Sequence, residues 1–171
     1  YATLHARLAP YHLALAHEAQ RTGLPLMRAM ALAYPDDPGV HEDWIQYQYL
    51  YGADLLVAPV YSWGLTRQVY IPTGTWIDYF TGTRYVGPCV AQVGAPLDVL
   101  PLYVRAGAVL PLLVDPWTPA EAALTFHAYP HWGEMWECGL ADGTRITLAQ
   151  TQESVAQLAV TGPTRIYTLH V

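Results

Sequence analysis

Carboxylates, one arginine inside an apolar run, and a scatter of aromatic rings are the side chains in this sequence whose type and spacing could do chemistry. Asp36 and Asp37 stand between prolines in Tyr34-Pro35-Asp36-Asp37-Pro38, and Glu42 and Asp43 follow closely. Paired carboxyls are the equipment of general acid and base catalysis. Each pair also has an ordinary use. An aspartate beside proline bonds to its own turn, and acids near a helix start meet the positive end of the helix. Arg28 is the one charge in Pro25-Leu26-Met27-Arg28-Ala29-Met30-Ala31-Leu32-Ala33-Tyr34. A buried guanidinium is costly unless paired, so Arg28 requires a partner, and that partner need not lie in this chain.

His127 and His131 have the i, i+4 spacing of a metal pair, but that spacing aligns ligands only on a helix, and here it brackets Tyr129-Pro130 in strand or turn context. No metal site is expected. Cys89 and Cys138 lack Cys-x-x-Cys spacing and are read as packing thiols. The tryptophans Trp44, Trp63, Trp76, Trp117, Trp132 and Trp136, with 13 tyrosines, serve either as core or as a stacking platform. Trp76 and Tyr79 suit packing after the Gly74 turn. Trp63, in the loop Tyr61-Ser62-Trp63-Gly64, is the more exposed candidate.

The elements that position these groups come from the hydrophobic pattern. With 171 residues and 53% hydrophobic content the chain can bury a real core. Charged residues make up 13%, low against about a quarter in typical domains, so part of the surface is expected to face something other than water. The net charge is −6 and the eight basic residues, all arginine, are unclustered, which argues against nucleic acid as a partner. No run reaches the ~18 continuous apolar residues of a membrane span.

Leu4, Leu8, Tyr11, Leu15 and Ala19 mark one face of a helix over residues 2 to 22, bent at Pro10 and capped at Gly23. Residues 25 to 34 alternate small and bulky apolar side chains, as a strand buried on both faces does. A short helix is expected over 42 to 51, ending at Gly52. Short β-rich runs follow at 55 to 60, 67 to 71, 75 to 80, 83 to 87, 95 to 100, 102 to 105 and 107 to 113. Asp115-Pro116-Trp117-Thr118-Pro119 is the expected linker. A second strand-rich set runs Ala123 to Tyr129, Glu134 to Cys138, Arg145 to Leu148, Val155 to Val160 and Thr164 to His170.

Four segments carry a resemblance. They are Gly52-Ala53-Asp54-Leu55-Leu56-Val57-Ala58-Pro59-Val60, Arg67-Gln68-Val69-Tyr70-Ile71-Pro72-Thr73-Gly74-Thr75-Trp76-Ile77-Asp78-Tyr79, Thr81-Gly82-Thr83-Arg84-Tyr85-Val86-Gly87, and Ala95 through Pro111. In order and spacing they are similar to the C-terminal part of family 31 glycoside hydrolases, the α-glucosidase and α-xylosidase family. Leu8-Ala9-Pro10-Tyr11 and Thr22 through Arg28 resemble the last helix and last strand of that family's (β/α)8 barrel. The resemblance implies a mainly β fold: the end of a barrel (one helix, one strand, one short helix) in residues 1–52, a proximal C-terminal antiparallel β-sandwich in 53–114, and the start of a distal β-domain in 115–171. For the distal part, Tyr129-Pro130 and Glu137 fit a Tyr-Pro then acidic-turn pattern, whereas Cys138 and Gly139 stand where aspartates are usual.

By the same resemblance the intact protein is a retaining hydrolase of α-linked glucosides or xylosides. That reaction needs two carboxyl groups ~5 to 5.5 Å apart. Both catalytic aspartates of the family come from earlier barrel strands, so no residue here inherits a catalytic role. Tyr34, at the C-terminal end of the last strand, is the substrate-binding candidate, through stacking on a sugar ring; Arg28 has a rival role toward sugar hydroxyls. No cofactor is implied. The implied partners are an α-linked oligosaccharide or glycoside and the upstream barrel of the same protein. The alternative is a non-catalytic carbohydrate-binding or structural β-sandwich module. Residues 1 to 34 discriminate, because an independent module has no use for a barrel-type helix and a double-faced strand.

Overall fold

The computed structural model describes residues 1–45, 47–117, 123–131, 133, 135–152, 155–163 and 167–171. Trp132, Glu134 at one expected strand start, Thr164 at another, and the Thr118-Pro119 end of the expected linker lie outside the described residues. In chain order the elements are α1 (Ala2–Arg7), α2 (Ala9–Thr22), β1 (Met27–Ala29), α3 (Met30–Ala33), β2 (Tyr49–Tyr51), β3 (Leu55–Val57), β4 (Thr66–Asp78), β5 (Arg84–Gly94), β6 (Leu102–Arg105), β7 (Val109–Leu113), β8 (Leu124–Ala128), β9 (Met135–Gly139), β10 (Arg145–Gln152), β11 (Val155–Thr161) and β12 (Tyr167–His170). The fold is mainly β, with largely antiparallel sheets and few helices. No described helix is long and apolar enough to cross a membrane.

Two compact units result, residues 27–106 and residues 1–26 with 107–171. In the second of these, the expected single helix is two. Leu8 breaks the run, and Pro10 sits in the first turn of α2, where its missing N–H leaves no intrahelical bond unmade. Gly23 closes α2 in the left-handed conformation at φ 79°, its N–H donating to the Ala19 carbonyl at 2.8 Å. Leu8, Tyr11 and Leu15 are buried, as their spacing requires. The sheet β12-β8-β7 pairs β8 antiparallel to β7 and parallel to β12, and the sheet β11-β10-β9 is antiparallel throughout. Both sheets share one core, in which Val109, Leu124 and Phe126 meet Ile146 and Leu148, with Ala14 of α2 joining them.

The unit 27–106 is one six-stranded antiparallel sheet in the order β1-β2-β3-β6-β4-β5. Its N-terminal edge corrects two expectations. The strand expected over 25 to 34, buried on both faces, is a three-residue edge strand in which Arg28 is buried while Met27 is 56% exposed. Met30–Ala33 then coil into α3. These residues are strong helix formers, and with only β2 beside β1 no second ladder holds them extended. The helix expected over 42 to 51 is replaced by two 3-10 turns, Pro38–His41 and Asp43–Ile45, followed by β2. The aromatic run Tyr47-Gln48-Tyr49-Leu50-Tyr51 prefers a pleated, half-buried surface. Gly52, at φ 65°, turns β2 into β3 rather than capping a helix.

The two runs expected at 67 to 71 and 75 to 80 are one strand, β4, whose ladder to β5 is interrupted between Ile71 and Gly74. Pro72 cannot donate to a ladder, so it falls where the pairing lapses. The interruption brings backbone onto backbone. A methyl group on Gly87, which faces Gly74, would overlap the carbonyl oxygens of Ile71 and Pro72. Beside it the buried Trp76 donates from Nε1 to the Pro72 carbonyl at 3.2 Å. Residues 95 to 100, expected as a strand, form none; Pro96 and Pro101 bound a bend there.

Two outcomes follow from this packing. Gly87→Ala is expected to lower the unfolding free energy by about 2 kcal/mol or more, because the obstructing atoms are backbone and cannot rotate away. Gly94→Ala on the same strand, with nothing within 4 Å of its added methyl, is expected to stay within about 0.5 kcal/mol of wild type in the same urea titration. In the other unit, burial first and the His5 ring at 4.6 Å second push His12 down from 6.5 to about 4. The folded value lies below the unfolded one. The contribution of His12 is therefore complete above pH 6.5 and is lost as pH falls through about 4. Denaturation midpoints measured across that window should decline in the wild type, and His12→Gln should flatten the decline.

Candidate functional site

The segment after β1 packs over β4 through a small set of polar contacts. The Gln48 side chain is buried; its Oε1 accepts the Tyr70 N–H at 3.0 Å and its Nε2 donates to the Tyr70 carbonyl. The Tyr70 hydroxyl donates to Asp37 Oδ1 at 2.6 Å, and the same oxygen accepts the Gly39 N–H at 2.9 Å. Asp37 thus caps the first 3-10 turn, and the turn-bonding reading of this carboxylate describes what its Oδ1 does. Its Oδ2 is buried with no hydrogen-bond partner among the described residues. Desolvation raises Tyr70 to about 12, the Asp37 bond and charge adding to it.

Tyr34 packs against this core with its hydroxyl buried and, among the described residues, without a hydrogen-bond partner. Burial pushes its pKa up; Arg105 draws it down and Asp37 pushes it up further. A separate cleft of about 710 Å³ opens where β1, the 3-10 turns and β2 meet, and Tyr34 does not line it. Arg28, Glu42, Asp43, Tyr47, Tyr49 and Tyr61 do. Arg28 is 8% exposed and is engaged by at least one interaction in the structure. Glu42 and Asp43 stand exposed at the second 3-10 turn rather than at a helix start. Tyr47 and Tyr61 lie 4.8 Å apart, ring centre to ring centre, and the Tyr61 hydroxyl donates to the Trp44 carbonyl at 3.1 Å. Arg67 lies 4.9 Å from the Tyr61 ring centre.

With this geometry in place, comparison with known proteins decides the family. Residues 23–110 match the model of the glycosyl hydrolase family 31 C-terminal domain. The chain belongs to glycoside hydrolase family 31. An isomaltosyltransferase from Sporosarcina globispora is 39% identical over 113 residues, which cover 66% of this chain and 10% of the relative. An α-glucosidase from Bacillus thermoamyloliquefaciens is 34% identical over 113 residues, 66% of this chain and 14% of the relative. Among solved structures, a family 31 dextranase from Flavobacterium johnsoniae, complexed with isomaltotriose, superposes with a TM-score of 0.81 at 29% identity, covering 97% of this chain and 24% of that one. The chain thus spans between a tenth and a quarter of the length of these family 31 proteins.

The remaining candidates disperse. Trp63 is fully exposed and Trp76 fully buried, in keeping with their loop and strand positions. Trp44 packs edge-on against Tyr70, Trp117 is exposed and Trp136 is half-buried. His127 pairs with the ring of His170 across β8 and β12 at 5.1 Å. Among the described residues no three His, Cys, Asp or Glu side chains gather as a metal site would need. Neither Cys89 nor Cys138 is in a disulfide, and both are half-buried, one against each core. Sequence reasoning missed the Tyr47–Tyr61 pair and Arg67. The available signal for Arg67 was the period of two that sets it on the inward face with Val69 and Ile71.

Because the folded-state value of Tyr70 lies above the unfolded 10, its contribution is complete below pH 10 and is lost as pH rises toward about 12. Tyr70→Phe is expected to cost about 1.5 to 3 kcal/mol at neutral pH, the worth of a hydrogen bond to a carboxylate. In alkaline urea titrations the variant should also show a shallower loss of stability than the wild type.

Proposed function

We propose that this chain is the C-terminal part of a retaining α-glycoside hydrolase acting on α-linked glucosides or xylosides. The observation that carries the reading is the family match over residues 23–110 in a chain that spans only 24% of the dextranase it superposes on. In this reading residues 1–52 end a (β/α)8 barrel, 53–114 are the proximal β-domain and 115–171 begin the distal one. Apolar Met27, 56% exposed on β1, supports an upstream neighbour, since such a side chain is stabilised by cover from outside the chain.

The two reacting carboxyls, one attacking the anomeric carbon and one protonating the leaving oxygen, come from the upstream barrel. What this chain contributes is position. Active sites of such barrels sit at the C-terminal strand ends. The loop that follows α3 is held by Asp37, Gln48 and Tyr70, and Tyr34 at its start is the residue we assign to contact with the sugar. The Tyr34 hydroxyl, without a hydrogen-bond partner among the described residues, supports that assignment, because such a group stands ready for a partner from outside the chain. A non-catalytic carbohydrate-binding role is the second reading, favoured by the Tyr47–Tyr61 pair on the cleft.

The deciding experiment is the intact mass of the native polypeptide, coupled with an assay on an aryl α-glucoside and an aryl α-xyloside. The expected result is a mass several times 19.0 kDa, turnover by that longer polypeptide, and none by residues 1–171. Turnover by rigorously pure 1–171 would sink the reading; a native mass near 19.0 kDa together with oligosaccharide binding would establish the second one.

A further inference from the structure

Arg67, on β4, is 6% exposed, and its Nη1 and Nη2 have no hydrogen-bond partner among the described residues. Its Nε makes only a long contact, 3.4 Å to the neighbouring Gln68 carbonyl. The groups that face it are phenols, Tyr61 over its flat side and Tyr103, whose own buried hydroxyl also lacks a partner among the described residues. Burial pulls the guanidinium down, and these two phenols hold it up. No carboxylate of the described chain pairs with its terminal nitrogens. A planar fork with both terminal nitrogens unmatched is the complement of a carboxylate, which it binds through two parallel hydrogen bonds.

The cover over this fork is slight. Tyr61 is half-exposed and is tethered by one hydroxyl bond to the Trp44 carbonyl. Beside it the loop presents fully exposed Trp63 and largely exposed Leu65; the Leu65 carbonyl accepts the Ala95 N–H at 2.8 Å, which brings exposed Leu97 to the same region. Exposed apolar side chains on the loop leading into a buried cation, whose terminal nitrogens have no partner among the described residues, suit the docking of an acid with an apolar collar.

We propose that Arg67 is the receptor for an aspartate or glutamate on the upstream part of the same polypeptide, which docks on the 59–66 loop and displaces Tyr61 from the guanidinium. This rests on the reading that a longer polypeptide exists. The acid supplies the charge that the fork lacks, and Trp63 and Leu65 close around it.

The test compares one substitution in two contexts. Removing an uncompensated buried cation stabilises, whereas removing one member of a formed pair destabilises. Arg67→Met is therefore expected to raise the Tm of residues 1–171 by about 2 to 5 °C and to lower that of the whole polypeptide by a similar amount. Arg67→Leu, run in parallel, guards against a packing failure peculiar to methionine. Hydrogen exchange of wild-type residues 59–66 needs no variant, and should be at least tenfold slower in the whole polypeptide than in 1–171. A fall in Tm in both contexts would mean that Arg67 serves its own sheet, and a rise in both, or equal exchange of the loop, would mean that no outside acid meets it; each overturns the proposal alone. A native mass near 19.0 kDa would overturn it together with the function proposed above.

Discussion

Both backbone polar groups of Tyr70 are bonded by a single buried side chain, the amide of Gln48, and the Tyr70 hydroxyl is bonded by Asp37. The placement of the whole segment after β1 depends on this residue. Between α3 and β2 the described residues form two short 3-10 turns, which by themselves hold little structure. Gln48 acts in place of a strand, offering β4 one donor and one acceptor. Gly39 lies so close to the Tyr70 ring that a side chain there would overlap it. The turn, the amide and the phenol therefore fix one another, and the loop that follows Tyr34 inherits its position from them.

Much of this fold was legible where a local pattern and the tertiary environment agree. Leu8, Tyr11 and Leu15 announced a buried helix face, Gly23 its cap, and Leu102–Arg105 its strand, because in each case the nearest neighbours in sequence settle the outcome. The pattern misled where a missing or distant partner decides. Residues 25 to 34 carry the composition of a strand covered on both faces, yet only three of them pair, since β2 alone lies beside them. Pro72-Thr73-Gly74 has turn chemistry but sits inside one strand, held there by the close approach of Gly87. Of the site, Asp37 as a turn-bonding carboxylate was legible from its prolines; its bond to Tyr70 was not, because no spacing rule links residues so far apart.

The same distinction separates what the chain does from what it positions. Family 31 chemistry needs two carboxyls at a fixed separation. The carboxylate at the centre of this structure, Asp37, already spends one oxygen on Tyr70 and Gly39, and Glu42 and Asp43 stand exposed on a turn. A carboxylate bonded in that manner is an anchor, and moving it would release the turn it caps. On the proposed reading the chain's influence on catalysis runs through geometry, because small displacements of a positioning loop change how well a reacting group is aimed.

Two departures from ordinary surface physics point the same way. Exposed Met27, Trp63, Leu65 and Leu97 leave apolar area in water, while Arg67 keeps a cation out of it. Either alone has many explanations. Together, in one unit and with charged residues at 13% of the sequence, they argue for a surface made to be covered. A domain that functioned bare would gain by the reverse arrangement, with Arg67 replaced by an apolar residue and Trp63 by a polar one. The present arrangement lowers the free energy only if something apolar lies over the loop and something anionic reaches the guanidinium.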